Sequence, residues 1–140
     1  MIANDRLQRA VGFLEEQFGL EALWVFGSEA QGTARPDSDI DLAALFQGRP
    51  APLDVLGSRG DLEEILGREV DLVDLDRASP ILAMQVLRHG RLLVDGNPKR
   101  RIAFFSRTLN LYDDLKIQRR EAERALIARF TSGQSHDLEG

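Results

Sequence analysis

Residues 26–42 read FGSEAQGTARPDSDIDL, with ten residues between Ser28 and Asp39 and a single residue between Asp39 and Asp41. The run 38–46 reads as a strand, which points Asp39, Asp41 and Ala43 to one face and Ile40, Leu42 and Ala44 to the other. Two carboxylates two positions apart on a strand stand about 7 Å apart. They repel each other and are placed to share cations. Hard divalent ions such as Mg²⁺ take oxygen ligands of this kind and also bind nucleotide phosphates. Gly27 and Ser28 supply the complementary half. The apolar strand ALWVF (22–26) stops at Gly27, and SEAQGTA reads as a one-turn helix whose leading N–H groups favour an anion. A glycine lets a phosphate approach the backbone, and Gly32 permits the turn back toward the next strand. Cations and phosphate held side by side are what phosphoryl or nucleotidyl transfer needs, two metal ions about 3.5–4 Å apart clamping the attacking and leaving oxygens.

A third carboxylate is expected from a neighbouring strand. The segment REVDLVDLD (68–76) offers Asp71, Asp74 and Asp76. Asp71 lies among Val70, Leu72 and Val73, where an unpaired carboxylate is costly. Asp74 and Asp76 sit nearer the strand end and are more easily solvated, so Asp71 is the choice. Other residues that could do chemistry have plainer readings. His89 suits a helix C-terminus, Trp24 the core, and Tyr112 packing on a helix; His136 falls in the tail.

Positioning these groups requires a small α/β or α+β domain, a mixed sheet covered by helices. Leu7, Val11, Leu14 and Phe18 mark a first helix, with Asn4 or Asp5 as its cap and Gly19 as its end. After the loop 48–52 a broken helix runs from Leu53 and restarts at Asp61, where Asp61 and Glu64 resemble a capping box. Residues 79–90 read as a helix with Ser79 as cap, Pro80 at its first position and Gly90 as its stop. A short strand follows at 91–96. From Asn97 and Pro98 one helix extends to about residue 130, far beyond the usual 11–12 residues. The expected divisions are a domain at 1–96, a long helix at 97–131 that packs on the domain and on a partner, and a flexible tail at 132–140.

The chain has 140 residues and no cysteine, which excludes disulfides, thiolate metal sites and cysteine nucleophiles. It lacks an apolar run long enough for a membrane helix and a recognisable signal peptide, so the cytoplasm is the expected location. Net charge is -5, unevenly spread: residues 1–96 balance to -8 and residues 97–130 to +5. The acidic body and few aromatics argue against direct nucleic-acid binding.

The combination of Gly27-Ser28, ten residues, Asp39-Ile40-Asp41-Leu42 and a later strand carrying Asp71 resembles the nucleotidyltransferases with the DNA polymerase β-like fold. The small size is similar to the minimal members, the MntA antitoxins of HEPN/MNT toxin–antitoxin systems. The resemblance implies ATP as co-substrate, two Mg²⁺ ions, and transfer of AMP to a tyrosine hydroxyl of a partner HEPN RNase toxin, which is thereby neutralised. It implies that Gly27 and Ser28 hold the β- and γ-phosphates, that Asp39 and Asp41 bind both ions, and that Asp71 binds one of them and helps deprotonate the acceptor. The basic long helix is then a docking surface for the toxin. Two other readings stay open: modification of a small-molecule hydroxyl, as with aminoglycosides, and an antitoxin that acts by binding alone. One departure stands out. Gln31 occupies a turn position where relatives often carry arginine, so either a positive charge near the phosphates is missing or Arg35 replaces it.

Overall fold

The structure is a computed structural model that describes residues 2–139, with side chains over 2–131. Four strands form one mixed sheet in the order β3-β2-β1-β4. Along the chain the elements are α1 (Asn4–Phe18), β1 (Leu20–Phe26), α2 (Ser28–Gln31), β2 (Ile40–Phe46), α3 (Pro52–Gly57), α4 (Arg59–Leu66), β3 (Val70–Asp74), a 3-10 turn (Leu75–Arg77), α5 (Pro80–His89), β4 (Arg91–Asp95) and α6 (Pro98–Glu139). β1 pairs antiparallel with both β2 and β4, while β2 and β3 are parallel. The parallel pair needs a crossover, and α3 and α4 provide it.

Strand alternation divides the apolar residues between two cores. Leu23, Val25, Ile40, Leu42, Ala44 and Phe46 face α1 and α4, joined by Leu14, Leu62 and Leu66. The rings of Phe18 and Phe46 meet in a T-shaped contact, with centroids 5.2 Å apart. Ala22, Trp24, Ala43 and Leu45 face the other way, against Ala83 and Val86 of α5 and Phe104 of α6. Trp24 is therefore core, as expected.

Several boundaries differ from the sequence reading. β1 begins at Leu20 and β2 at Ile40, so Asp39 precedes its strand by one residue. Ala3 occupies the N-cap of α1, and neither Asn4 nor Asp5 caps it, because helical backbone already includes both. The break after α3 falls at Ser58, whose hydroxyl donates to the Val55 carbonyl at 2.6 Å, and no Asp61–Glu64 capping box forms. Ser79 does cap α5, accepting from the Leu82 N–H at 3.2 Å. Asn97 caps α6 by accepting from the Arg100 N–H at 3.3 Å. α6 continues to Glu139. The tail expected at 132–140 falls on side chains outside the described residues, as does His136.

α6 is fastened to the body at its root. Arg100 donates from Nε to Glu21 at 2.5 Å and from Nη2 to Asp76 at 2.6 Å, and its Nη2 also reaches the Phe46 carbonyl at 3.3 Å. One guanidinium thus joins β1, β2, the turn after β3 and α6. Arg101 pairs with Asp95 at 2.9 Å. Part of the basic character of 97–130 is therefore neutralised within the body. Among the described residues, no helix is long and apolar enough to cross a membrane. Arg100→Ala should cost about 2 kcal/mol, the scale of losing hydrogen bonds between charged, part-buried groups. Urea denaturation would show the loss, and Arg100→Lys should recover little of it because an ammonium cannot span the same acceptors.

Candidate active site

The register builds the site. Phe26 of β1 lies opposite Asp41 of β2, and Asp41 lies opposite Asp71 of β3. The three residues form one row across the sheet, with neighbouring strands about 4.8 Å apart. Ala43 and Trp24 form the next row on the same face. Below that row the helices cover the sheet; the carboxylates stand where the cover ends.

Gly27 follows Phe26 and is the N-cap of α2, at φ 67° and ψ -145°. Only glycine adopts that conformation without strain. A Cβ built there would also strike the Asp41 carboxylate. The Gly-Ser turn and the second aspartate are therefore in contact, backbone against carboxylate. Gln31 donates its N–H to the Gly27 carbonyl at 3.2 Å, and Thr33 to that of Ser28 at 3.0 Å, which closes the turn.

Asp39 is placed by the loop before it. Arg35 donates its N–H to Ser38 Oγ at 2.8 Å, and Ser38 donates its N–H to the Arg35 carbonyl at 3.0 Å. Arg68 Nε holds the Ser38 carbonyl at 2.8 Å. The same guanidinium pairs through Nη1 with Glu29, whose side chain is only 2% exposed. Arg68 thus ties α2 to the segment that carries Asp39. Arg68 and Glu29 escaped the sequence reading: each lies beside a motif, but no spacing links positions 29 and 68. The Ser38 hydroxyl thus caps the turn before Asp39.

The three aspartates share one field. Burial raises the Asp41 pKa above its ordinary value, and the charges of Asp71 and Asp39 raise it further. Asp39 and Asp71 are exposed. The expectation that Asp71 is embedded in apolar surroundings is corrected: β3 is the sheet edge, and Asp71 opens to solvent. Asp74 and Asp76 differ from Asp71 in another way. Arg77 pairs with Asp74 at 2.7 Å and Arg100 with Asp76 at 2.6 Å. Their charge is spent on structure.

An oxygen-only donor set with an uncompensated field and a backbone lacking a Cβ beside it fits a hard divalent cation. Among the described residues no three acidic or histidine side chains stand together closely enough to hold a metal as placed. The exposed Asp39 and Asp71 side chains would have to turn toward Asp41. Gln31 and Arg35 are both exposed, and Arg91 at the start of β4 lines a cavity of about 130 Å³ with Glu29, Gly32 and Ala34. Arg91 is thus a second cation at the α2 turn that the sequence did not single out. His89 is exposed at the end of α5, and Tyr112 lies between Arg88 and Lys116, their cations 5.2 and 4.8 Å from its ring centroid.

The family model described as Polymerase beta, Nucleotidyltransferase matches residues 8–99. The protein adenylyltransferase MntA of Shewanella oneidensis is 32% identical over 117 residues, spanning 84% of this chain and 83% of the relative. A solved toxin–antitoxin with AMP-PNP aligns at a TM-score of 0.75 and 28% identity, over 89% of this chain and 99% of its own. A chain of the complex between a tri-AMPylated Shewanella oneidensis HEPN toxin and an MNT antitoxin shares the fold, at a TM-score of 0.68 and 24% identity over 88% of this chain and 94% of its own.

Two outcomes test the local account. The native state holds the Asp41 proton more tightly than the unfolded chain does, so ionisation of Asp41 opposes folding. That penalty is full at neutral pH and vanishes below the ordinary aspartate range. Without divalent ions, Asp41→Asn should therefore be more stable than wild type at pH 7, and the advantage should shrink toward pH 3.5 in urea titrations. Arg68→Met should cost about 3 kcal/mol, the scale of breaking a buried ion pair from one side. A thermal melt that leaves Arg68→Met at the wild-type midpoint would remove Arg68 from this role.

Proposed function

The chain belongs to the polymerase β nucleotidyltransferase family, and on that premise we propose that it is an antitoxin-type protein adenylyltransferase. It transfers AMP from ATP to a tyrosine hydroxyl of a partner HEPN-family toxin and neutralises it. The observation that carries the reading is the row in which Asp41 faces Asp71 while the Gly27 backbone abuts the Asp41 carboxylate. On this reading the row sets the phosphate cradle beside the cation site at one end of one sheet face.

Gly27 and Ser28 receive the β- and γ-phosphates, the bare glycine allowing the approach and the serine hydroxyl adding a donor. Asp39, Asp41 and Asp71 would hold two Mg²⁺ ions; when bound, these neutralise the triphosphate and ease departure of pyrophosphate. The tyrosine oxygen attacks the α-phosphorus of ATP and forms a new O–P bond. The bond from that phosphorus to the oxygen bridging the β-phosphate breaks, and pyrophosphate leaves with the electron pair. The phenolic proton passes to the Asp71 carboxylate, which is exposed and free to meet an incoming hydroxyl. Arg68 and Glu29 act on none of these atoms; they keep the cradle and Asp39 in register. The distal part of α6, from Asp113 to Thr131, is exposed throughout and is the surface we assign to the toxin. The reaction draws on cytoplasmic ATP.

Incubation with labelled ATP, Mg²⁺ and the HEPN-family protein should label that protein. Asp39→Ala/Asp41→Ala should reduce labelling on the order of a thousandfold, the scale of losing transition-state charge stabilisation. It should also lose protection against the toxin. A double variant that protects as well as wild type would mean that binding alone neutralises.

A further inference from the structure

β3 is an edge strand, paired on one side only. Ile40 donates its N–H to the Glu69 carbonyl at 2.8 Å, which sets the phase of the parallel ladder. Backbone groups of successive residues leave a strand on alternate sides. Glu69, Asp71 and Val73 therefore turn theirs toward β2, and Val70, Leu72 and Asp74 turn theirs away from the sheet. The Val70 carbonyl is taken on that outer side by Arg59 Nε at 2.9 Å. Among the described residues, the Leu72 N–H and C=O meet no partner.

In front of Leu72 lies a cavity of about 390 Å³, a size typical of ligand sites. Four consecutive residues from Asp71 to Asp74 line it. Consecutive residues point to opposite faces, so a space touching all four runs along the edge and not over one face. Val55 and Leu56 of α3 form the opposite wall. Leu56 is 55% exposed, an apolar side chain with little of its own to cover. Asp71, the proposed proton acceptor, stands on the rim.

A free N–H and C=O on a sheet edge is a template for another backbone. We propose that the β3 edge receives an extended segment of the acceptor protein. The segment hydrogen-bonds to the Leu72 N–H and C=O, seats one side chain in the cavity against Leu56, and delivers a neighbouring hydroxyl to Asp71. This deepens the reading above and rests on the acceptor being a protein. The open stretch is short. Arg59 closes it at Val70, and Arg77, bound to Asp74 at 2.7 Å and to the Pro50 carbonyl at 2.6 Å, closes it at the other end. One residue's worth of backbone bonds holds a substrate long enough to react and release; it is too little to join two copies of the sheet.

Hydrogen exchange of the full chain, alone and with the HEPN-family protein plus AMP-PNP, reads the Leu72 amide directly. Alone, that amide should exchange about tenfold faster than those of Asp71 and Val73, and it should slow about tenfold in the mixture. Unchanged exchange at Leu72 overturns the proposal. Protection that grows with the concentration of the chain alone gives the edge to a second copy and overturns it equally. Leu56→Trp fills the cavity from an exposed position. It should raise the acceptor KM about tenfold while the melting temperature and the stabilisation by AMP-PNP stay at wild-type values; an unchanged KM also overturns the proposal. Label transfer from ATP, followed in parallel, separates the two readings. Protection of Leu72 without transfer sinks the adenylyltransferase reading and keeps the docking edge. Transfer without protection does the reverse.

Discussion

The contact between Arg68 and Glu29 is the constraint on which the rest of the site depends. A sheet can place Asp41 beside Asp71 by register alone, because ladder hydrogen bonds fix which residues face each other. It cannot place the Gly-Ser turn or Asp39, which both lie outside strands. Arg68 does this with one side chain, reaching Glu29 in α2 and the Ser38 carbonyl in the following loop. The pairing is nearly buried, so water screens it little and its geometry is exacting. A planar guanidinium suits the task, since its donors diverge at fixed angles to two acceptors.

The site also shows why carboxylates of one sign can be kept together in an acidic protein. Of the five aspartates on and beside β2 and β3, two are neutralised locally by Arg77 and Arg100. The other three carry the unbalanced field, centred on Asp41. The fold therefore concentrates repulsion at one place and relieves it elsewhere. Stability is given up where a ligand can restore it.

Much of this was legible in the sequence. The strand–turn–strand motif is local, and its glycine, serine and Asp41 state their geometry within seventeen residues, whereas Asp39 falls just before the strand expected to carry it. The α5 cap was equally plain, since Ser79 and Pro80 act on neighbours three residues away. The mixed sheet followed from the order of the elements, and the long helix from periodicity. What escaped depends on distance along the chain. Nothing near Arg68 announces Glu29, and nothing near Arg100 announces Glu21 and Asp76. Asp71 was chosen for an apolar setting that an edge strand does not supply, because the sequence of β3 does not say which of its sides lacks a neighbour. The caps expected at Asn4, Asp5 and Asp61 failed for a smaller reason: several polar residues near a helix start compete, and backbone geometry decides among them.

α6 outruns the body that anchors it. A seven-residue strand such as β1 spans about 23 Å, whereas the 42 residues of α6 span about 63 Å. From Asp113 to Thr131 every residue is exposed, Leu126 and Phe130 by about two-thirds. The turns from Asp113 to Thr131 thus bury nothing in either core, and the cooperative unfolding of the sheet does not register them. In energetic terms the chain is a folded unit continued by an exposed, unbroken helix. Residues on that surface can be exchanged without spending any of the stability that keeps the three aspartates in place.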